Sequence, residues 1–299
     1  MEPSRLPAIT LSPSQVSTLE RSFSDLITAL GRHANLDIRA LRDFTQPIPA
    51  GCQRVSLRCD MAGDPAWTLP LARMAARYAV PMTVLVNARE AYFADDHWLD
   101  ALLVAGPEIA LKIIAWMAED AAPQHADKAV AAAINRLRDG SVNLQGLAFD
   151  PPCWGVAAES FELFQGFGLA GRKTVRLGKA RLPLQTLDLH SLNIRYTSQF
   201  GVARPATPEQ IHTYFDLTTA SPPHSSALRH AYWANNPVWQ WTPMTTIALS
   251  ANGAWVRYRG NDGDYPVPHR DVGALVEWIA ATGPGDRYLF VIDPRLLAA

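Results

Sequence analysis

The chain has 299 residues, 48% of them hydrophobic and 18% charged, so it is long enough to bury a large core and too apolar to be disordered. A formal net charge of −1 leaves no basic field for recruiting nucleic acid or an anionic lipid surface, so neutral or small partners are expected. Cys52, Cys59 and Cys153 show no C-x-x-C spacing and suit a reducing compartment. With no signal-like start and no apolar stretch of membrane-span length, the expected location is the cytoplasm.

Residues 1–13 read as an arm rich in Pro and Ser. Ser12 or Ser14 then caps a helix carrying Val16, Leu19, Phe23, Leu26, Ile27 and Leu30 at helical spacing, and Gly31 ends it. Leu36–Phe44 predicts a short strand or turn, and Pro47, Pro49 and Gly51 break the chain before the first firm strand, Arg54–Cys59. That strand runs into Asp60. A helix over Pro65–Tyr78, a strand over Met82–Val86 ending at Asn87, and a helix from Asp95 or Asp96 through Leu103, closed by Gly106, come next. Glu108–Ile114 predicts a strand, Lys128–Leu137 a helix, Gly146–Asp150 a strand, Val156–Phe167 a helix, and Arg172–Leu177 and Leu182–His190 further strands.

Pro208–Phe215 predicts a helix, and Ser221–Trp241 is a long Pro-, His- and Trp-rich connection. Thr245–Leu249 and Trp255–Arg259 flank Ser-Ala-Asn-Gly as a β-hairpin. Asp271–Ala281 is helical, Gly283-Pro284-Gly285 a turn, and Tyr288–Ile292 a final strand ending at Asp293. Strands and helices alternating at roughly 30-residue intervals imply βαβ units and a parallel sheet. Cys59–Asp64 holds a single Gly, so no phosphate loop marks an open dinucleotide-binding sheet. No cofactor is expected, and a (β/α) barrel is favoured.

Leu41-Arg42-Asp43-Phe44, Leu57-Arg58-Cys59-Asp60-Met61-Ala62 and Tyr78-Ala79-Val80-Pro81-Met82-Thr83-Val84-Leu85-Val86 follow one another in an order and spacing that resembles the polysaccharide deacetylase superfamily, the NodB-homology domain. Gly106-Pro107-Glu108-Ile109-Ala110-Leu111-Lys112, Asp150-Pro151-Pro152-Cys153-Trp154-Gly155 and Gly166-Phe167-Gly168 are similar to later segments of that family, so the resemblance spans Leu26–Leu177. It implies a distorted parallel (β/α) barrel over residues 51–299, with an irregular C-terminal part from about residue 200, and residues 1–50 as an arm and helix packed on the barrel. It also implies a catalytic base at Asp60. The family's metal ligands fall on Ala62, Lys112 and Trp116, of which Ala and Trp cannot coordinate a cation and protonated Lys repels one, so no metal is expected.

Lys112 in a ligand's place suggests an ammonium pairing with Asp60, either as a structural ion pair or as part of a rebuilt site. Asp150, His190 and Asp293 each follow a predicted strand, where a barrel gathers reactive groups. Asn87, Trp116, Trp154, Trp233 and Trp241 are candidate ligand-binding residues, because sugar rings stack on indole planes; core packing is the competing role for the tryptophans. Three functions are therefore expected to compete. One is a metal-free, deacetylase-like protein that binds a saccharide or acylated small molecule in a glycan-related pathway. The second is an amide or ester hydrolase rebuilt around Asp60 and Lys112. The third is a scaffold that docks a protein partner through its N-terminal helix or the Trp-rich connection 221–241.

Overall fold

The computed structural model describes residues 12–60, 68–87, 97–113, 126–149, 154–156, 162–165, 174–177, 180–183, 186–188, 192–198, 201–205, 239–243, 245–250, 253–257, 267–269 and 271–292. These form an α/β structure on a curled parallel sheet of half-barrel form. In chain order the elements are α1 (Pro13–Gly31), β1 (Leu36–Ile38), a 3-10 turn (Leu41–Asp43), β2 (Gln53–Asp60), α2 (Thr68–Arg77), β3 (Thr83–Asn87), α3 (His97–Ala105), β4 (Glu108–Ile113), α4 (Ala126–Asp139) and β5 (Gly146–Phe149). Short strands follow: β6 (Trp154–Val156), β7 (Glu162–Gln165), β8 (Thr174–Leu177), β9 (Ala180–Pro183), β10 (Thr186–Asp188), β11 (Tyr196–Ser198), β12 (Gly201–Pro205) and β13 (Trp239–Pro243). Then come β14 (Thr245–Ser250), β15 (Gly253–Arg257), β16 (Val267–His269), α5 (Val272–Ala280) and β17 (Arg287–Ile292). The chain divides into two compact units, residues 1–110 with 243–299, and residues 111–242.

In the first unit β2 is the central strand. β17 lies along one side of it, from Arg287 opposite Arg54 to Ile292 opposite Cys59, and β1 and then β3 occupy the other side, all parallel. β14 continues the parallel set beyond β17, and β15 and β16 add antiparallel strands. The hairpin pairs Ser250 with Gly253, as the turn residues between them predict. β14 and β17 place regular parallel strands, with α5 before β17, where an irregular C-terminal part is expected.

Strand alternation gives the sheet of this unit two unlike faces. Val55, Leu57 and Cys59 of β2, Val84 and Val86 of β3, and Tyr288, Phe290 and Ile292 of β17 share one face and are buried. α5 lies on this side: the Tyr288 hydroxyl meets Thr282 Oγ1 at 2.8 Å, and the Trp278 and Tyr288 rings meet edge to face. Asn35 and Gln53 side chains donate to the carbonyls of Ala280 and Thr282, satisfying acceptors that the helix end leaves open. α1 packs on α5 and buries Leu19, Phe23, Leu26, Ile27 and Leu30, the residues whose spacing predicts the helix. Each fully buried side chain of this kind contributes about 2 kcal/mol of transfer free energy.

The opposite face carries Arg54, Ser56, Arg58, Asp60, Thr83 and Glu108 alongside the buried Leu85 and Leu289. A strap of residues 37–47 crosses its amino-terminal half. Arg54, 1% exposed, donates from Nε and Nη2 to Asp37 Oδ2 at 2.9 and 2.6 Å, from Nη1 to the carbonyls of Asp43 and Phe44 at 2.7 and 2.9 Å, and from Nη2 to that of Pro47 at 3.1 Å. Ser56 Oγ donates to the Arg39 carbonyl at 2.6 Å. The Leu41 N–H reaches Thr83 Oγ1 and the Arg42 N–H reaches Glu108 Oε2, while Thr83 Oγ1 donates to the same carboxylate at 2.7 Å. The strap is thus tied to the sheet by hydrogen bonds to buried side chains as well as by its own buried Leu41 and Phe44. Gly106, at φ +77°, closes α3 with its N–H shared by the carbonyls of Leu102 and Leu103.

In the second unit the end of β4, β5 and β11 run parallel, with Leu111 opposite Leu147 and Gly146 opposite Tyr196. β12 returns antiparallel, with β13 at its side. α4 buries Val130, Ala133, Ile134 and Leu137, and Arg138 at its end donates to the Leu192 carbonyl. The structure corrects one expected element, the helix over 156–167, and the sheet partners of two expected strands. The helix expected over 156–167 is replaced by β6 and β7, which pair antiparallel with each other and, through β7, with β10. Val156, Phe161 and Phe164 favour strands, and Gly155 and Gly166 disfavour a helix, which outweighs the helical spacing. The strand expected over 172–177 forms a separate ribbon, β8 with β9, and the strand that extends the parallel sheet after β5 is β11 rather than 182–190. The predicted helix at 208–215 lies outside the described residues.

Two predictions follow from these contacts. Replacing Arg54 by Ala strands Asp37 and three carbonyls in the interior and is expected to lower unfolding free energy in urea by about 3–5 kcal/mol, with Arg54→Lys recovering only part because an ammonium cannot span the same acceptors. A Cβ at Gly146 would overlap the Tyr196 ring, so Gly146→Ala is expected to cost about 1–3 kcal/mol in the same measurement.

Candidate functional site

The carboxyl ends of parallel strands are where α/β proteins hold their reactive and ligand-binding groups. In the first unit β2 ends on Asp60, whose register partner on β3 is Leu85; Asn87, two residues further, is the last residue of β3. Ile292 closes β17 opposite Cys59. The expected strand-end address of Asp60 is therefore observed, and the strap crosses the sheet nearer the strands' beginnings.

Arg58, two residues before Asp60, projects from the same face of the strand. Its Nε lies 2.8 Å from Asp60 Oδ1 and its Nη2 3.2 Å from Oδ2, a side-on bidentate pair in which both side chains are 11% exposed. Thr83 of β3 and Val291 of β17 flank Arg58 in register. Arg58 Nη1 is buried and has no hydrogen-bond partner among the described residues. The pair thus leaves one enclosed donor unused, and an unused buried donor costs about 1–3 kcal/mol.

This pairing changes what Asp60 can do. A guanidinium bound to both oxygens occupies acceptor positions of the carboxylate, and it sets a positive charge where a metal ion would have to approach. Among the described residues no group of three His, Cys, Asp or Glu side chains is placed to hold a metal ion.

The other candidates are distributed as follows. Lys112 lies in the second unit, half-buried in β4, with Ala148 of β5 as its register partner. Within the first unit Asp60 is paired with Arg58, a cation the sequence reading does not single out. Trp154 opens β6 in the small antiparallel sheet, and Trp241 is the central residue of β13. Ala62, Trp116, Asp150, His190, Trp233 and Asp293 lie outside the described residues. Arg58 is the residue that sequence reasoning misses. Its signal is present, since a cation and an anion two apart in a strand share a face, but it is masked by an apolar run that reads as plain core.

Comparison with protein-family models, with curated proteins and with solved structures found no match.

Asp60→Asn leaves a mostly buried guanidinium uncompensated and is expected to destabilise the protein by about 3 kcal/mol in urea unfolding. The double variant Arg58→Met with Asp60→Leu removes both charges and is expected to regain most of that loss; additive losses in the double variant would show that the two side chains do not act as a pair.

Proposed function

We propose that this chain is a divergent, metal-free relative of the polysaccharide deacetylases that binds a saccharide or acylated small molecule at the carboxyl end of its parallel strands without hydrolysing it. The observation that carries this reading is the bidentate Arg58–Asp60 pair at the end of β2. A deacetylase needs a carboxylate free to meet water, and both Asp60 oxygens are engaged by the Arg58 guanidinium. The same pair suits binding, because the enclosed Arg58 Nη1 has a donor to offer to a hydroxyl or acyl carbonyl oxygen. The family relationship rests on the order of the segments around Leu41–Phe44, Leu57–Ala62 and Tyr78–Val86.

Titration calorimetry with acetylated xylo- and chito-oligosaccharides, run beside an acetate-release assay with and without added zinc or cobalt, tests the proposal. Saturable binding without acetate release is the expected result. Acetate release at turnover, abolished by Asp60→Asn in a folded variant, would replace the binding role with the hydrolase role, and the absence of any saccharide binding would remove both.

A further inference from the structure

At the other end of β2, Asp37 holds two guanidiniums, Arg39 and Arg54, and a third, Arg287, lies on the far side of Arg54. Asp37, Arg54 and Arg287 occupy one row across β1, β2 and β17, each opposite the next in register. Asp37 gives one oxygen to Arg54 and the other to Arg39, whose Nε lies 2.8 Å away. Arg54 has all its donor directions taken by Asp37 and by carbonyls of the strap. Arg287, half-buried beside it, has no ion pair among the described residues; its hydrogen bond is a long one, 3.4 Å from Nη1 to the Gly285 carbonyl, and its Nε is enclosed without a partner. The neighbouring carboxylate, Asp286, is engaged by the Tyr288 hydroxyl at 3.4 Å. Counting Arg39, Arg54 and Arg287 against Asp37 and Asp286 leaves a surplus of one positive charge among these five side chains.

A guanidinium cannot escape such a position by giving up its proton at physiological pH. Burial first, and the Arg54 charge second, hold Arg287 below the ordinary arginine pKa, in keeping with a cation that lacks compensation. Arg287 is half-buried, with its Nε enclosed and its Nη1 bond to the Gly285 carbonyl at the surface, so part of the guanidinium is open to an incoming anion. We propose that Arg287, backed by Arg54, is an oxyanion-binding site at the amino-terminal end of the parallel strands, taking a phosphate group. Phosphate is favoured over a carboxylate because its higher charge is attracted more strongly by two adjacent guanidiniums, and the ligand can be free phosphate or a phosphomonoester. This site stands on the row of charges alone and is independent of the saccharide reading at Asp60.

Titration calorimetry of the full chain with inorganic phosphate, at an ionic strength kept constant with chloride, tests it. One phosphate per chain is expected, with affinity reduced about tenfold or more in Arg287→Gln and less in Arg287→Lys. In phosphate-free buffer Arg287→Gln is expected to melt no lower than the parent protein, because it removes an uncompensated charge, and this keeps loss of binding separable from loss of fold. Glycerol 2-phosphate binding at least as tightly as phosphate would assign the site to phosphomonoesters, and weaker binding would assign it to the free ion. Acetate binding as tightly as phosphate, equal phosphate affinity in the parent and Arg287→Gln, or no binding by the parent would each overturn the proposal.

Discussion

Arg54 carries a charge that cannot be neutralised and has been taken almost wholly out of water, so the chain around it must supply every partner that water would have given. It does so with one carboxylate and three backbone carbonyls, all from the segment that precedes β2. That requirement fixes the path of residues 37–47 over the face of the sheet that carries Arg54. Ser56, Thr83 and Glu108 then complete the attachment, each bonding to a backbone group of the same segment. The segment also buries Leu41 and Phe44, so the buried cation acts together with an apolar anchor. The cost of desolvating Arg54 is offset only when all of these bonds form together, so the strap and the sheet have one common geometry.

Two ion pairs on one strand face serve different ends. Arg54 is saturated, and its neighbourhood is structural. Arg58 holds Asp60 but keeps an enclosed donor unspent, and it stands at the end of the strand where ligands approach. The contrast lies in accounting for donors rather than in residue type, since both are arginines paired with aspartates.

Elements whose signal is local were legible in the sequence. The 3.6-residue spacing from Leu19 to Leu30 predicts α1, Gly106 marks the end of α3, and the Ser-Ala-Asn-Gly turn predicts the pairing of β14 with β15. Asp60 was legible as a strand end because an apolar run stops there. What was not legible depends on partners far along the chain: nothing near Arg54 announces that three carbonyls of a loop will converge on it, and nothing near Arg287 says that it will lie beside Arg54. The stretch from Trp154 to Asp188 misled for a different reason. Its apolar residues fit a helical spacing, while its glycines and aromatic residues fit short antiparallel strands, and pairing decided between them.

β17 is among the last elements of this sequence and yet lies against β2, near the front of it, with β14 closing in beside it. On a ribosome, β2 emerges with one whole edge unpaired and waits while about 230 further residues are made before Arg287 can meet Arg54. The second unit, contained entirely within that interval, is complete before the first can close. The exposed edge of β2 is therefore a hazard confined to synthesis, when Val55, Leu57 and Cys59 have no neighbour on that side and are open to pairing with another chain. Chain termination anywhere before Arg287 would make that temporary condition permanent.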